Sequence, residues 1–299
     1  MSRMAAEPAE AGPGALPGGS VIDDTDIARL RHIRPRHHGR ILAVLLIVLF
    51  AGFLIKSFAE GQIDWREVGT YLTWPTILMG VLNTVWLSIA SMAIGIVLGV
   101  TCAIARNSPN PVLRSAAIFY AWFFRGTPVI LQLLIWFNLA LIFPRLGIAG
   151  VWEVKTVTLI TPAVAALLGF GLNEGAYISE IVRAGLLSVD RGQYEAARSI
   201  GMREMKALRR IVLPQAMRVV VPPLGNEFIG LIKMTSLASI VGFNDVLRSA
   251  QDIYYTNTKV IELLIVAAVW YLVVVSLLSF GQGFLERRFG RGFAGSGRR

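Results

Sequence analysis

From residue 75 to residue 105 the chain carries not one charged side chain. An element of a soluble protein that long would expose one face to water and carry charge there. A run this apolar is long enough to cross a bilayer as a helix. In lipid only helices and closed barrels satisfy their own backbone hydrogen bonds. Mainly apolar runs with at most three charges each recur at residues 41–55, 113–143, 159–187, 222–243 and 260–284. With 55% hydrophobic and 16% charged residues in 299, and a mean hydropathy of +0.60, the chain reads as a polytopic membrane protein. The expected fold is all-α, with about six transmembrane helices.

Residues 1–40 are rich in Ala, Pro and Gly, cannot build a core, and are expected to be a disordered cytoplasmic tail. Residues 41–58 read as an extra N-terminal span, because a signal peptide would not follow a charged lead of forty residues. In the second span Ser91, Gly95, Gly99 and Ala103 recur every fourth residue, a ridge that another helix can approach closely. The third span is interrupted by Phe124-Arg125-Gly126-Thr127-Pro128. Gly126 and Pro128 break or kink a helix there, and Arg125 is costly in a bilayer unless it faces protein or water. Residues 144–158 are an external loop.

The fourth span holds Asn173, Glu174 and Glu180. Asn173, Tyr177, Glu180 and Ala184 share one face, and such a stripe must face protein or a wet cavity. Glu180 and Arg183, at i and i+3, are candidates for a structural charge pair. Asn173 and Glu174, deeper in the span, are better substrate candidates. The fifth span is expected to start at Pro222-Pro223. It contains Lys233, a second candidate buried cation, which pairs with Glu180 or Glu227 or lines the pathway. Residues 245–259 are an external loop with room for a short amphipathic helix, residues 260–284 the sixth span, and residues 286–299 a basic cytoplasmic tail.

Of the 29 Lys and Arg residues, 21 fall on the side that bears both termini and six on the other, with Arg125 and Lys233 inside spans. That bias makes the rich side cytoplasmic and predicts both termini there. On that side lies a charged stretch, residues 195–214. Glu195, Ala196 and Ala197 form helix, Gly201 ends it, a second helix follows, and Pro214 is expected to stop that one. Met202, Met205, Leu208 and Val212 give the second helix an apolar stripe, with Arg203, Lys206 and Arg210 off it. A helix of this kind between spans either lies on lipid headgroups or docks into a soluble partner, and physical chemistry leaves both open.

Glu195-Ala196-Ala197, three residues, Gly201, nine residues, then Ile211-x-Leu213-Pro214 resembles the EAA loop in permease subunits of ATP-binding-cassette importers. The resemblance implies that residues 190–214, Leu208 among them, form a coupling loop seated in a cytoplasmic ATPase. Phe124 to Pro128, Gly175-Ala176-Tyr177, Glu180-Ile181-x-Arg183-Ala184-Gly185, Gly192-Gln193 and Lys233-x-Thr235-Ser236-Leu237 resemble the polar amino acid branch of these permeases. The likeness extends over most of residues 75–285. It implies a five-helix permease core preceded by one extra span, in the cytoplasmic (inner) membrane. It also implies three partners: a second permease subunit, identical or different, an ATPase dimer carrying ATP and Mg, and an extracytoplasmic amino-acid-binding protein. No cofactor is expected in this chain. The substrate pathway candidates are Asn173, Glu174, Tyr177, Arg125 and Lys233.

A self-sufficient channel or secondary transporter for small polar solutes is the alternative, with Arg125, Glu174, Glu180 and Lys233 as an ion path. An intramembrane enzyme ranks last, because no histidine lies in any predicted span to serve a Ser-His pair. No Gly-x-x-x-x-Gly-Lys-Ser/Thr occurs, so the chain is not its own ATPase. His32, His37 and His38 sit in the tail, the single Cys102 forms no intrachain disulfide, and no metal-ligand spacing occurs. The pI near 10.2 is accounted for by cationic loops beside membrane lipid, without nucleic acid.

Overall fold

The computed structural model describes residues 38–148 and 151–289. The expected tail before residue 38 and the last ten residues lie outside them. The described chain comprises two units, divided after Gly61. The first contributes helix α1, His38–Glu60. It is apolar around its whole circumference, as a lipid-facing span must be, with a Lys56–Glu60 pair at its end.

The second unit starts with α2, Trp65–Leu72, whose first amides are capped by Asp64. Helix α3, Pro75–Arg106, opens on a proline, which is tolerated where the amide would have no partner. Helices α4, Pro111–Gly126, and α5, Val129–Phe137, meet at a 102° bend. The break falls at Thr127-Pro128, where proline disfavours helical backbone in the residue before it. A short α6, Leu139–Ile142, precedes two antiparallel strands, β1, Arg145–Ile148, and β2, Trp152–Lys155, paired from Arg145↔Lys155 to Ile148↔Trp152. The expected external loop is thus partly a hairpin. After α7, Thr156–Leu159, comes α8, Pro162–Leu187, capped by Thr161.

Three prolines act otherwise than the sequence suggests. Helices α9, Arg191–Ser199, and α10, Glu204–Ala207, lead into a wide π turn, Leu208–Val212, and then α11, Leu213–Met234. Pro214 therefore opens α11 and does not stop the preceding helix. It sits in the first turn, and the π turn before it locally replaces the usual ladder that its ring would interrupt. Pro222 and Pro223 lie inside α11 and do not start a span. Prolines survive in membrane helices when neighbours resupply hydrogen bonds. Here the missing amides leave the carbonyls of Arg218 and Val219 without their helical donors, and beside them the Pro222 carbonyl accepts from Gln282 Nε2 at 2.7 Å. A 3-10 turn, Thr235–Val241, follows, then α12, Val246–Asn257, and α13, Val260–Phe289.

The small-residue ridge on α3 packs against α8. A Cβ on Gly95 would lie 2.8 Å from the Cβ of Glu174, and one on Gly99 would lie 2.6 Å from Ile178. Leu87, Leu133, Phe170, Ile178 and Leu231 close the core around this contact. Among the described residues four helices are long and apolar enough to span, or five if the bent α4–α5 pair counts as one. Helix α8, with its polar stripe, is not among them.

Candidate functional site

A cleft of about 480 Å³ opens beside the α4–α5 break. Arg125 to Val129 line one side, Asn173, Glu174 and Tyr177 of α8 another, and Glu227 and Met234 of α11 the third. The break creates the cleft, because residues that leave a helix expose backbone groups that need partners. Gln132 supplies them. Its Nε2 donates to the carbonyls of Phe124 and Thr127 at 3.0 and 3.1 Å and to Thr127 Oγ1 at 2.8 Å. Asn173 Nδ2 reaches the same Phe124 carbonyl at 2.8 Å. Asn173 thus lines the cleft while its amide holds the break.

Glu174 is 3% exposed, and its Oε2 has no hydrogen-bond partner among the described residues. A buried carboxylate oxygen without a donor is costly unless a ligand supplies one. The half-buried Glu227 lines the same cleft. Lys233 does not. It is exposed and forms no ion pair among the described residues, so the expected pairing with Glu180 or Glu227 is absent. The helical period explains this. Met234 lies seven residues from Glu227 and shares its face, whereas Lys233 is about 100° away.

Glu180 binds more than Arg183. Arg183 approaches its Oε2 at 2.9 Å and Arg125 its Oε1 at 3.3 Å, and Arg106 from the end of α3 is hydrogen-bonded to that same Oε1. One carboxylate on α8 therefore ties together the ends of α3 and α4. Arg125 also lies 5.4 Å from the Tyr177 ring centroid, where the ring face attracts a cation. Gln132, Arg106 and Glu227 belong to the site without being site candidates by sequence. Gln132 has a signal there, a lone amide in an otherwise apolar helix. Arg106 has none beyond ending a span.

The coupling stretch bends at Gly201, whose φ of +73° is left-handed. Met202 N–H donates to the Ala197 carbonyl at 3.0 Å and Gly201 N–H to that of Arg198 at 2.9 Å, the paired bonds of a Schellman cap. Glu195 and Ala196 are exposed, as are Leu213 and Pro214, and Leu208 and Ile211 are half-buried. Ala197 is buried, 1% exposed, so it packs inward and offers no docking surface. The apolar stripe also shifts. Val212 is buried and Met202 and Leu208 are half-buried, whereas Met205 is exposed and Ala207, off the expected stripe, is buried. A concavity of about 330 Å³ remains between the two short helices, lined by Tyr194, Arg198, Ala207 and Leu208 among others.

Residues 95–291 match the family described as "Binding-protein-dependent transport system inner membrane component". The chain is 38% identical over 260 residues to the arginine transport system permease protein ArgU of Corynebacterium glutamicum, covering 86% of this chain and 82% of that one. It is 41% identical to the L-cystine transport system permease protein TcyB of Bacillus subtilis, over 73% of this chain and 88% of that one. It is 34% identical to the glutamine transport system permease protein GlnP of Escherichia coli, over 76% and 98%. Among solved structures, an amino acid ABC transporter crystallised with histidines superposes with a TM-score of 0.67 at 32% identity, over 76% of this chain and all of that one.

Proposed function

We propose, for a chain that belongs to the family of binding-protein-dependent transport system inner membrane components, the role of permease subunit in an ATP-driven importer of polar amino acids. It is a membrane-embedded transporter subunit and not an enzyme. A second permease and ATPase subunits are its partners. An extracytoplasmic amino-acid-binding protein delivers the substrate, ATP and Mg are held by the ATPase dimer, and both termini are cytoplasmic. The Lys and Arg bias supports that orientation.

The observation that carries the substrate reading is the unpartnered Glu174 oxygen in a cleft bordered by Arg125. Carboxylates on one wall and a guanidinium on another complement the ammonium and carboxylate of an amino acid. Glu174 and Glu227 take the ammonium end, and Tyr177 and Arg125 border the other. A continuous helical path, residues 204–241, joins this cleft to the coupling stretch. Docking of the ATPase around Glu195, Ala196, Leu208 and Ile211 would therefore reach Glu227 and Met234 through α11.

The test is uptake of labelled arginine and glutamine by vesicles holding the permease, its ATPase and its binding protein. ATP-dependent uptake is expected. Uptake by the permease alone, with no ATPase present, would establish the channel or secondary transporter instead.

A further inference from the structure

Beside the concavity at Tyr194, and separated from it by Met205, lies a second depression of about 330 Å³. Its lining is Arg203, Met205, Lys206, Arg209 and Arg210. All four cations are exposed, and none joins an ion pair among the described residues. The nearest acid in sequence, Glu204, is taken by Arg198. Four unneutralised positive charges around one hollow call for an anion. The π turn, Leu208–Val212, places Arg209 and Arg210 there, immediately before the helix becomes apolar.

We propose that this depression binds the headgroup of an anionic phospholipid, so that the coupling stretch is held between lipid on its cationic side and the ATPase on its apolar side. Three observations favour lipid over an acidic protein surface. The depression lies at the start of a helical stretch, residues 204–241, long and apolar enough to cross a membrane. Leu213 and Met217, four residues apart on the next turns, are 42% and 40% exposed and present apolar surface for acyl chains. And a basic group followed by exposed apolar side chains is the pattern of a helix entering the headgroup region, where each Lys or Arg is drawn to anionic lipid. The inference needs only the membrane location of the chain, and it stands or falls apart from the identity of the substrate.

The test uses the purified full-length chain in nanodiscs doped with spin-labelled phosphatidylglycerol or spin-labelled phosphatidylcholine. The expected result is a several-fold excess of motionally restricted phosphatidylglycerol over phosphatidylcholine, lost in about 1 M salt, where screening is nearly complete. The triple variant Lys206→Gln, Arg209→Gln, Arg210→Gln should bring the ratio close to one. Arg209→Lys with Arg210→Lys should keep it. Equal restriction of the two lipids by the unaltered chain would overturn the proposal. So would a triple variant that keeps the lipid preference but loses the ATPase, which would make the depression a protein contact.

Discussion

Asn173 on α8 donates its Nδ2 to the carbonyl of Phe124 at 2.8 Å, and Gln132 donates to the same oxygen at 3.0 Å. Two side-chain amides from different helices thus stabilise the end of α4 at the break that opens the cleft. Asn173→Leu removes one of two donors from a half-buried carbonyl and should cost about 0.5–1.5 kcal/mol. Thermal unfolding of detergent-extracted protein, followed by loss of monodisperse material, checks it. Because Asn173 and Gln132 share an acceptor, only the double variant with Gln132→Leu strips that carbonyl of both side-chain donors, and it should lose more than the sum of the two single losses. Strict additivity would show that the two amides act independently.

Glu174 behaves oppositely. It has an oxygen with no protein donor, so Glu174→Gln removes a charge that nothing in the described structure compensates. The folded protein should be as stable as before or slightly more so. Transport should suffer, because a hydrogen bond to a charged group is worth about 1.5–3 kcal/mol, or roughly 10–100-fold in affinity. Uptake of arginine should fall by that factor and lose selectivity over glutamine. Unchanged uptake and selectivity would remove Glu174 from the substrate path.

Glu180 is the only acid that Arg106, Arg125 and Arg183 contact among the described residues. Glu180→Gln strands three partly buried guanidiniums, and breaking such a cluster by deleting its shared partner costs about 3–5 kcal/mol. Partial exposure moves the expectation to the lower end of that range. The amount of folded protein in membranes should drop sharply. Arg125→Gln should be far milder, since Glu180 keeps two partners and Arg125 is the most exposed of the three. If Arg125→Gln reduces abundance as much as Glu180→Gln, the network does not work through its carboxylate.

Elements set by local chemistry are legible in the sequence. The α4–α5 break follows from Gly126 and Pro128, the close α3–α8 contact from Gly95 and Gly99, and the bend at Gly201 from a glycine between two helical stretches. Elements set by distant partners are not. Pro222 and Pro223 remain inside a helix that packs on another, where Gln282, sixty residues away, donates to the Pro222 carbonyl. Lys233 reads as buried from its span but faces outward, because a one-residue difference in helical phase separates it from Met234. Spacing pairs Glu180 with Arg183, its neighbour one turn away, and the two do meet. The bond from Glu180 to Arg106, 74 residues distant, has no counterpart in local spacing. The same holds for Ala197. Its motif position suggests a contact residue, and only the packing of the helix pair shows it turned inward.

The bend at Gly201 separates conformation from bulk. Its φ is +73°, and a Cβ built there would meet nothing within 4 Å. A side chain is therefore excluded by the backbone alone, not by crowding. Left-handed backbone costs an L-residue roughly 1–2 kcal/mol, but asparagine visits it far more readily than a β-branched residue does. Gly201→Asn should thus keep the Schellman cap, the direction of α10 and the coupling of ATP hydrolysis to uptake. Gly201→Val, whose β-branched side chain rarely adopts left-handed backbone, should redirect α10 and leave ATP hydrolysis uncoupled from uptake, with the membrane helices still folded. The contact itself can be read by cross-linking from Ala196→Cys, which is exposed, in a Cys102→Ala background; Ala197 would be the wrong site, being buried. An adduct with the ATPase is expected from the unaltered bend and from Gly201→Asn, and a weakened one from Gly201→Val. Equal uptake, coupling and cross-linking in the Asn and Val variants would show that the left-handed turn at Gly201 does not set the docking geometry.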